Sequence, residues 1–395
     1  MIKKLIIASS IATTLFALTA SEYKAQQMQN YKKQQTEFKK YKTNVEKEFK
    51  AYQEAQNKAF NDYKKEVGAF WEEPKLSTKK TWVAYTKDKK TRTHVDFEKE
   101  TIVVQTIAKS PKEAKEKLQI ALAKVVTINT KTVQKNDPLE VKLSKITKPF
   151  NVVDKPVKAE PILSTVIFKK APSKEKVLKY VKLNTKNNQI KSVKSNKVKH
   201  ARVYSIVVQL PKNAMVKRSK IYLNEVKKQA KRQELPVPLI FAIMHSESSF
   251  NPRARSHIPA YGLMQIVPRT AGIDTYRYLY KKKKLVSGSY LYDSTNNITM
   301  GSAYLHILYY SYLRKIKNPD SRLYCTIAAY NTGAGNIAWA FTKTHNINKA
   351  APLINKLTPD EVYAKLLKDL KYDEPKHYLK KVSKRMSSYH KVYGL

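Results

Sequence analysis

The first strong pattern along the chain is a stripe of apolar and aromatic residues between positions 38 and 70, spaced mostly three or four apart. Lysine, glutamine and glutamate fill the positions between them, so the apolar side chains would share one face of an α-helix. The stripe predicts an amphipathic helical segment over residues 21–70, packed against the next domain or a partner helix, with direct lipid or glycan contact as the alternative. Its members are Phe38, Tyr41, Val45, Phe49, Tyr52, Phe60, Tyr63, Val67 and Phe70.

The region 71–210 favours β-structure. Three runs rich in β-branched and aromatic residues predict strands at residues 82–85, 101–107 and 202–210. Ser110 and Pro111 are a helix-start signal, with the serine as cap and the proline in the first turn, for a helix that reaches about Val126. Shorter alternating runs at 141–143 and 162–168 also lean towards β-structure. Together with lysine-rich linkers, these patterns predict a small α+β accessory domain.

From residue 211 onward the pattern is helical. Pro236 and Pro238 pre-set the start of a very apolar helix that runs into Glu247. Further helices are predicted at residues 219–232, 302–315, 322–330, 359–370 and 376–393, several of them separated by glycine-containing loops. The expected fold class is therefore α+β, with a mainly α-helical C-terminal domain over residues 211–395 that follows the long N-terminal helix and the small α+β domain.

The first twenty residues have the order of a secretory signal peptide. A basic start at residues 1–4 is followed by an apolar run from Leu5 to about Ala20, which small residues close before the chain becomes polar. We therefore expect residues 1–20 to be a signal peptide and the mature protein to be exported. An uncleaved membrane anchor or a buried helix would be the alternative. No later stretch approaches the length of apolar residues needed to span a bilayer.

The net charge of the chain limits the classes of partner that it is expected to bind. Of 395 residues, 77 are Lys or Arg and 31 are Asp or Glu, which gives a formal net charge of +46. Such a charge argues against an ordinary neutral cytosolic enzyme and favours a polyanionic neighbourhood: nucleic acid, an anionic membrane surface or an acidic cell envelope. The only cysteine, Cys325, excludes an intramolecular disulfide framework and a cysteine-based zinc cluster. No histidine pair has metal-ligand spacing with a matching carboxylate, so we predict no metal and no cofactor.

Glu247 is the residue whose position points to chemistry. It is the only carboxylate between Glu234 and Asp274, and it ends a very apolar helix. A carboxyl group desolvated there has a raised pKa, which suits a general acid near neutral pH. The structural alternative is a glutamate that is exposed to solvent or paired with Arg253 or Arg255.

Three ordered segments then resemble the motifs of the goose-lysozyme-like soluble lytic transglycosylases. The first is Glu-Ser-Ser-Phe-Asn-Pro-Arg-Ala-Arg-Ser at 247–256, and the second is Gly-Leu-Met-Gln-Ile-Val-Pro-Arg-Thr at 262–270. The third is Ala-Ala-Tyr-Asn-Thr-Gly-Ala-Gly-Asn at 328–336, and a looser fourth is Glu-Pro-Lys-His-Tyr at 374–378. The resemblance implies a lysozyme-like catalytic domain that cleaves the glycan strands of peptidoglycan.

The resemblance also implies the chemistry and the site residues. Glu247 would protonate the glycosidic oxygen between MurNAc and GlcNAc and then act as base for the C6 hydroxyl, which closes a 1,6-anhydro ring without water. A second carboxylate is then unnecessary, and Asp274 and Asp293 are expected to be turn or capping residues. The positions that match substrate-binding residues of the family are Ser256, Gln265, Val267, Tyr330, Asn331 and Tyr378.

Residues 30–210 resemble, more loosely, the N-terminal domain of the membrane-bound lytic murein transglycosylase C family. The likeness lies in the segments 70–71, 76–78, 82–83 and 95–98. Relatives of that type are commonly lipoproteins, whereas no cysteine follows the apolar run here. We therefore expect a periplasmic protein and leave open a peripheral association with the outer membrane or another anionic envelope surface.

Three rival functions remain at this stage. A hydrolytic muramidase on the same fold would release reducing MurNAc ends, and a non-catalytic basic scaffold would bind the wall without cleaving it. A nucleic-acid binder rests on charge alone, and the signal peptide and the lack of a recognisable binding module argue against it. The sequence leaves the oligomeric state open.

Overall fold

The computed structural model describes residues 20–149, 152–168, 170–256 and 259–394, so the predicted signal peptide, apart from its last residue, lies outside the described residues. The chain divides into two compact units, one ending at Ala55 and one beginning at Gln56. Within the first unit the described chain is helical, and Lys50 pairs with Glu54 one turn later at 3.9 Å. The predicted N-terminal helix is present and continues into the second unit as far as Gly68.

The described helices alternate with few strands, and their bounds follow the capping signals of the sequence closely. The helices are α1 Ala20–Gly68, α2 Pro111–Thr127, α3 Thr130–Asn136, α4 Pro138–Ser144, α5 Ser164–Phe168, α6 Lys174–Asn184, α7 Ala214–Ile221, α8 Leu223–Gln233, α9 Val237–Ser248, α10 Ile273–Tyr280, α11 Gly288–Leu291, α12 Ser294–His306, α13 Pro319–Thr332, α14 Ala334–Thr342, α15 Ile347–Ile354, α16 Pro359–Asp369 and α17 Asp373–Tyr393. The strands are β1 Thr81–Tyr85, β2 Thr91–Asp96, β3 Thr101–Ala108, β4 Val152–Val153, β5 Lys191–Lys194, β6 Arg202–Gln209 and β7 Leu285–Val286.

The accessory region is built on a five-stranded antiparallel sheet in the order β1-β2-β3-β6-β5. One face of the sheet packs against α2, where Val95, Ile102 and Val104 meet the buried Leu118 and Leu122 in one hydrophobic cluster. Strands β4 and β7 form a separate parallel pair that joins residues 152–153 to the C-terminal region. The three predicted strands are all present, and α2 begins at Pro111 with Ser110 as its cap.

Four expectations about local structure were wrong. The run at 141–143 lies in helix α4, because Asp137 caps the backbone amides of Leu139 and Glu140 and Pro138 occupies the first turn. The run at 162–168 ends in the short helix α5 rather than in a strand. The predicted helix at 219–232 is broken at Tyr222 into α7 and α8. The predicted helix at 302–315 starts earlier, as α12, and becomes a π-helical turn over Ile307–Tyr312.

The C-terminal region surrounds helix α9. Its residues 239–244 are completely buried, because other helices cover the apolar helix on every side. Helix α17 lies along α9 and also contacts α13, so three segments that are distant in sequence meet at one end of α9. Within the described part of the chain, no helix combines the length and the apolar character needed to cross a bilayer.

Candidate active site

The catalytic candidate lies where α9 ends. Glu247 is in the last turn of this buried helix, and its side chain is turned into the protein with only 5% of the residue exposed. The next residues make an abrupt turn, since Ser249 and Phe250 both have left-handed backbone conformations, with φ of 51° and 61°. Such conformations are uncommon outside glycine and require support from their surroundings.

Hydrogen bonds tie the motifs to one another. The Ser248 hydroxyl donates to the carbonyl of Leu263 at 2.8 Å, which joins the first motif to the second. The Tyr330 hydroxyl donates to the carbonyl of Met264 at 2.8 Å, which joins the third motif to the second. The motifs that are separated along the chain therefore meet around the end of α9.

Gly262 allows the second motif to turn tightly. Its φ is +75°, and a Cβ atom there would lie 2.3 Å from the Asn297 side-chain nitrogen and 2.5 Å from the Leu291 carbonyl oxygen. With no side chain at 262, the Asn297 amide reaches the loop and accepts from the Met264 backbone N–H at 2.7 Å. The close approach of Asn297 thus depends on glycine at this position.

A cleft of about 540 Å³ opens beside Glu247. Three of the seven predicted site residues, Glu247, Asn331 and Tyr378, line it. No sequence pattern places Lys79 and Lys381 here, whereas Glu374 and His377 belong to the loosely matching fourth segment. The complete lining is Lys79, Ser246, Glu247, Asn331, Glu374, His377, Tyr378 and Lys381.

Burial sets the ionisation of Glu247. Desolvation raises the pKa of its carboxyl group, because the charged form loses the stabilisation that water gives it. The positive charges of Lys79 and Lys80 and the hydroxyl of Tyr378 oppose this rise, and the negative charge of Glu374 adds to it. Glu247 therefore keeps its proton to higher pH than an exposed glutamate, as a general acid must.

Two tyrosines flank the acid in different ways. The buried Tyr378 hydroxyl faces Glu247 but completes no hydrogen bond of ordinary geometry in the described structure. Such contacts often tighten only when substrate is bound. The Tyr330 hydroxyl donates to the Met264 carbonyl, and the negative charge of Glu247 adds to the effect of burial on the pKa of the Tyr330 phenol. Burial raises the pKa of both phenols well above the ordinary value.

A second carboxylate stands in the same cleft, which the sequence analysis did not anticipate. Glu374, in the first turn of α17, has a side chain that is 72% exposed and pairs with Lys79 at 3.8 Å. Its Oε1 also accepts from the Asn331 side-chain amide at 3.4 Å. Glu247 and Glu374 thus differ in environment, one buried and one exposed beside a lysine.

The remaining predicted residues lie outside the lining of this cleft. The Ser256 hydroxyl accepts from the Ala260 backbone N–H at 3.1 Å. Gln265 has a φ of 48° and donates to the Gly262 carbonyl at 3.0 Å, while its own side-chain oxygen is buried without a hydrogen-bond partner in the described structure. Val267 precedes a π-helical turn over Pro268–Gly272. These residues therefore shape the loop after α9.

The structure also answers the alternatives for individual residues. Arg253 pairs with Glu140 at 2.6 Å, and Arg255 stacks on the ring of Phe60 at 3.9 Å, so neither forms an ion pair with Glu247. Asp293 is the N-cap of α12, as expected for a capping residue. Asp274 lies in the first turn of α10 and accepts from the Tyr312 hydroxyl at 3.0 Å.

His245 and Cys325, two other side chains that could carry chemistry, are held in partly or wholly buried environments that indicate a structural role. Burial lowers the pKa of His245 to about 3, and its Nδ1 lies 3.1 Å from the Tyr389 hydroxyl. Cys325 is wholly buried among apolar residues, and burial raises the pKa of its thiol. Among the residues that the structure describes, no group of three His, Cys, Asp or Glu side chains is arranged to hold a metal ion.

Comparison with known protein families gives two matches, which cover different parts of the chain. Residues 224–352 match the Transglycosylase SLT domain family. Residues 31–220 match the N-terminal domain of membrane-bound lytic murein transglycosylase C.

Relatives that match most of the chain are named membrane-bound lytic murein transglycosylase C, as is the N-terminal domain family. A membrane-bound lytic murein transglycosylase C from Klebsiella pneumoniae is 34% identical over 329 residues, which cover 81% of this chain and 84% of the relative. The protein of that name from Serratia proteamaculans is 35% identical over 311 residues, covering 78% and 82%. The lytic transglycosylase Slt from Pseudomonas aeruginosa is 25% identical over 46% of this chain and 28% of its own, with a TM-score of 0.34, too low to bear on the fold.

Proposed function

The chain belongs to the membrane-bound lytic murein transglycosylase C family, and from this membership we infer that it is a peptidoglycan lytic transglycosylase. We propose that Glu247 is its catalytic acid and base. The observation that carries this proposal is a buried glutamate with a raised pKa that forms no ion pair with any described residue and opens onto a cleft at the meeting point of the motifs.

The proposed reaction uses Glu247 twice. Its proton passes to the glycosidic oxygen between MurNAc and GlcNAc as the bond from MurNAc C1 to that oxygen breaks. The acetamide group of MurNAc stabilises the electron-deficient C1 centre, and the C6 hydroxyl of the same sugar then attacks C1. The Glu247 carboxylate takes the hydroxyl proton, which restores the acid and leaves a 1,6-anhydro ring without consuming water.

Roles for the other predicted residues follow from their positions. Tyr378 faces the carboxyl group and, we propose, stabilises its ionised form between the two proton transfers. Asn331 lines the cleft, where its amide group is suited to bind saccharide hydroxyls. For Ser256, Gln265 and Val267 a contact with saccharide rests on the motif match, whereas Tyr330 holds the second motif through Met264.

The position of Glu374 is also compatible with a competing reaction, the hydrolysis of the glycan by a muramidase. A muramidase needs a second carboxylate that activates water or attacks the sugar, and Glu374 lines the same cleft as Glu247. Its pairing with Lys79 and Asn331 favours a role in binding the substrate. The two reactions differ in their products, because hydrolysis adds one water to the MurNAc end.

We further propose that the mature protein is exported and lies at an anionic surface of the envelope. The relatives are named membrane-bound, and the chain carries a basic segment suited to such a surface. Between residues 170 and 202 there are 11 Lys or Arg residues and one acidic residue, Glu175. A cluster of this kind is attracted to anionic lipid or polymer.

The decisive experiment is digestion of purified sacculi with the mature chain, with products identified by mass spectrometry. The proposal expects 1,6-anhydroMurNAc ends from the wild-type chain, no cleavage by Glu247→Gln, and anhydro ends from the control variant Glu116→Gln, which changes an exposed glutamate. Cleavage by Glu247→Gln would refute the role of Glu247. Reducing MurNAc ends that disappear in Glu374→Gln would instead identify a muramidase with two carboxylates.

A further inference from the structure

A lysine of the accessory sheet reaches the end of the catalytic helix. Lys80 lies immediately before β1, and its ammonium group donates to the carbonyl of His245 at 2.8 Å and to the hydroxyl of Ser249 at 2.9 Å. His245 and Ser249 stand on either side of Glu247 in the sequence. Lys80 therefore binds the last turn of α9 at the position of the proposed acid.

The backbone next to Lys80 is bound to the same turn. The carbonyl of Thr78 accepts from the Arg255 N–H at 3.3 Å, and the carbonyl of Lys79 accepts from the Asn251 side-chain amide at 3.4 Å. The segment 78–80 thus contacts the chain on both sides of the sharp turn at Ser249 and Phe250. The accessory region is attached to the turn that follows the acid.

That turn needs external support. Two successive non-glycine residues in left-handed conformations are strained, and such conformations persist only where the surrounding structure holds them. The Phe250 ring is fixed by packing against Tyr222 and Phe241. On the polar side, Lys80 binds both the His245 carbonyl in the last turn of α9 and the Ser249 side chain, so its removal frees one side of the turn.

The charge of Lys80 suits this position. Its side chain is 22% exposed, and burial lowers the pKa of its ammonium group to about 8, with the nearby Glu98 opposing the shift. The groups around it are Glu98 from the β2–β3 turn at 3.7 Å, Arg385 and Lys381 from α17, and Glu247 from α9. Lys80 is thus a cation at the C-terminal end of α9, where the helix dipole favours positive charge.

We propose that Lys80 is a positioning residue for the transglycosylase reaction, which holds the turn after Glu247 so that the carboxyl group points into the cleft. This inference rests on the proposed role of Glu247. Lys80 does not line the cleft, in contrast to its neighbour Lys79, so it acts on the chemical step rather than on substrate binding. The accessory domain then contributes a positioning side chain to the catalytic site, beside the cleft residue Lys79.

The test compares three variants of the full mature chain. Lys80→Met removes the ammonium group and keeps the length of the side chain, while Lys80→Arg restores a cation that can reach the same acceptors. Lys99→Met, on an exposed turn of the same sheet, is the control for loss of one charge. For each variant we would measure kcat on solubilised glycan strands, binding to sacculi, thermal unfolding and the pH dependence of kcat/KM.

The proposal expects kcat of Lys80→Met to fall by roughly 10-fold or more, as for other losses of catalytic geometry, with sacculus binding within about twofold of wild type. The alkaline limb of kcat/KM should move to higher pH in Lys80→Met and stay in place in Lys99→Met, because Lys80 lowers the pKa of Glu247. Lys80→Arg should recover most of the lost activity.

Two results would overturn the inference: a folded Lys80→Met with unchanged kcat, or losses of kcat and binding that run in step with the loss of folded protein. An unchanged alkaline limb together with a normal kcat would do the same. Failure of the proposed function is visible separately, since Glu247→Gln would then still cleave glycan. An inactive Glu247→Gln beside a fully active Lys80→Met rejects the role of Lys80 alone.

Discussion

The Arg253 guanidinium forms an ion pair with the Glu140 carboxylate at 2.6 Å, and its side chain is only 2% exposed. It also donates to the Gln134 side-chain oxygen at 3.0 Å and lies 3.7 Å from the centre of the Tyr292 ring. Arg253 of the first motif therefore contacts helix α4 and not Glu247. Glu247 has no paired cation in the part of the chain that the structure describes, and Arg253 ties the catalytic motif to the accessory region.

We predict that Glu140→Ala destabilises the protein strongly, because it leaves the Arg253 charge buried without its partner. Breaking a buried ion pair from one side costs about 3–5 kcal/mol of unfolding free energy. Urea denaturation monitored by circular dichroism measures this loss. The control Glu116→Ala removes an exposed carboxylate from α2 and should change the unfolding free energy by less than about 0.5 kcal/mol. A similar small effect for Glu140→Ala would contradict the prediction.

Glu247 should make the stability of the wild-type protein depend on pH. Its pKa is raised in the folded state, so folding favours the protonated form, and this contribution is lost as the pH rises from the ordinary value of 4.5 through the raised pKa. Glu247→Gln cannot ionise and escapes this loss. The variant should therefore gain stability relative to wild type as the pH increases from about 4 to about 8, as measured by thermal unfolding. A gain that is independent of pH would show that Glu247 ionises normally.

The sequence predicted the catalytic helix well because its determinants are local. The apolar run before Glu247 and the prolines at its start are close in sequence, and α9 begins at Val237 and buries this run as expected. The sequence pattern did not predict strand β2, because the polar residues Arg92 and His94 interrupt the run of apolar and β-branched residues that is typical of a strand. Arg92 is nevertheless buried, with its guanidinium 4.0 Å from the centre of the Trp71 ring and one donor on the Glu73 carbonyl.

The cleft was harder to predict because several of its members meet only in three dimensions. Glu374 enters it through the packing of α17 against α9, and Lys79 enters it from the accessory region. Nothing near Lys79 in the sequence indicates this neighbour, and the looser fourth segment that contains Glu374 did not indicate a second carboxylate in the cleft. Of the seven site residues that the motifs predicted, Glu247, Asn331 and Tyr378 line this cleft. The hydrogen bonds of Tyr330 and Gln265 to backbone carbonyls depend on loop geometry that spacing does not reveal.

Tyr378→Phe should separate activity from stability. The hydroxyl completes no hydrogen bond in the described structure, so its loss should leave the unfolding free energy nearly unchanged. It opposes the rise in the pKa of Glu247, so its loss should move the alkaline limb of kcat/KM to higher pH. We expect the hydroxyl to bond the Glu247 carboxylate when substrate is bound. A hydrogen bond to a charged group contributes about 1.5–3 kcal/mol, so the loss of this bond should lower kcat by roughly 10- to 100-fold. Steady-state kinetics across pH would test this.

The control for that prediction is Tyr372→Phe, which removes a phenol hydroxyl from a residue that is 53% exposed, shortly before Tyr378. Its kinetics and pH profile should match those of the wild type. If Tyr378→Phe retained full kcat and an unchanged alkaline limb, the hydroxyl would have no part in the ionisation of Glu247. A large loss of stability without a change in pH profile would give Tyr378 a packing role instead.

The basic segment should bind anionic surfaces through helix α6. Lys176, Lys179 and Leu183 share an outward face of this helix, opposite the buried Val181, and Leu183 is 57% exposed. Each lysine near an anionic bilayer contributes about 1 kcal/mol of binding free energy. Replacing Lys174, Lys176, Lys179 and Lys182 by Gln should weaken binding to phosphatidylglycerol vesicles by roughly 100- to 1000-fold, as measured by co-sedimentation at constant low salt.

The matched control removes the same amount of charge from another exposed helix face, with Lys227, Lys228, Lys231 and Arg232 of α8 all changed to Gln. If α6 forms the contact, the α8 variant should bind nearly as well as the wild type, and all binding should fall steeply as salt is added. Equal losses in both variants would mean that the net charge of +46 acts as a whole. Binding to sacculi but not to vesicles would assign the α6 face to the wall polymer, because the wall then supplies the anions that the lysines contact.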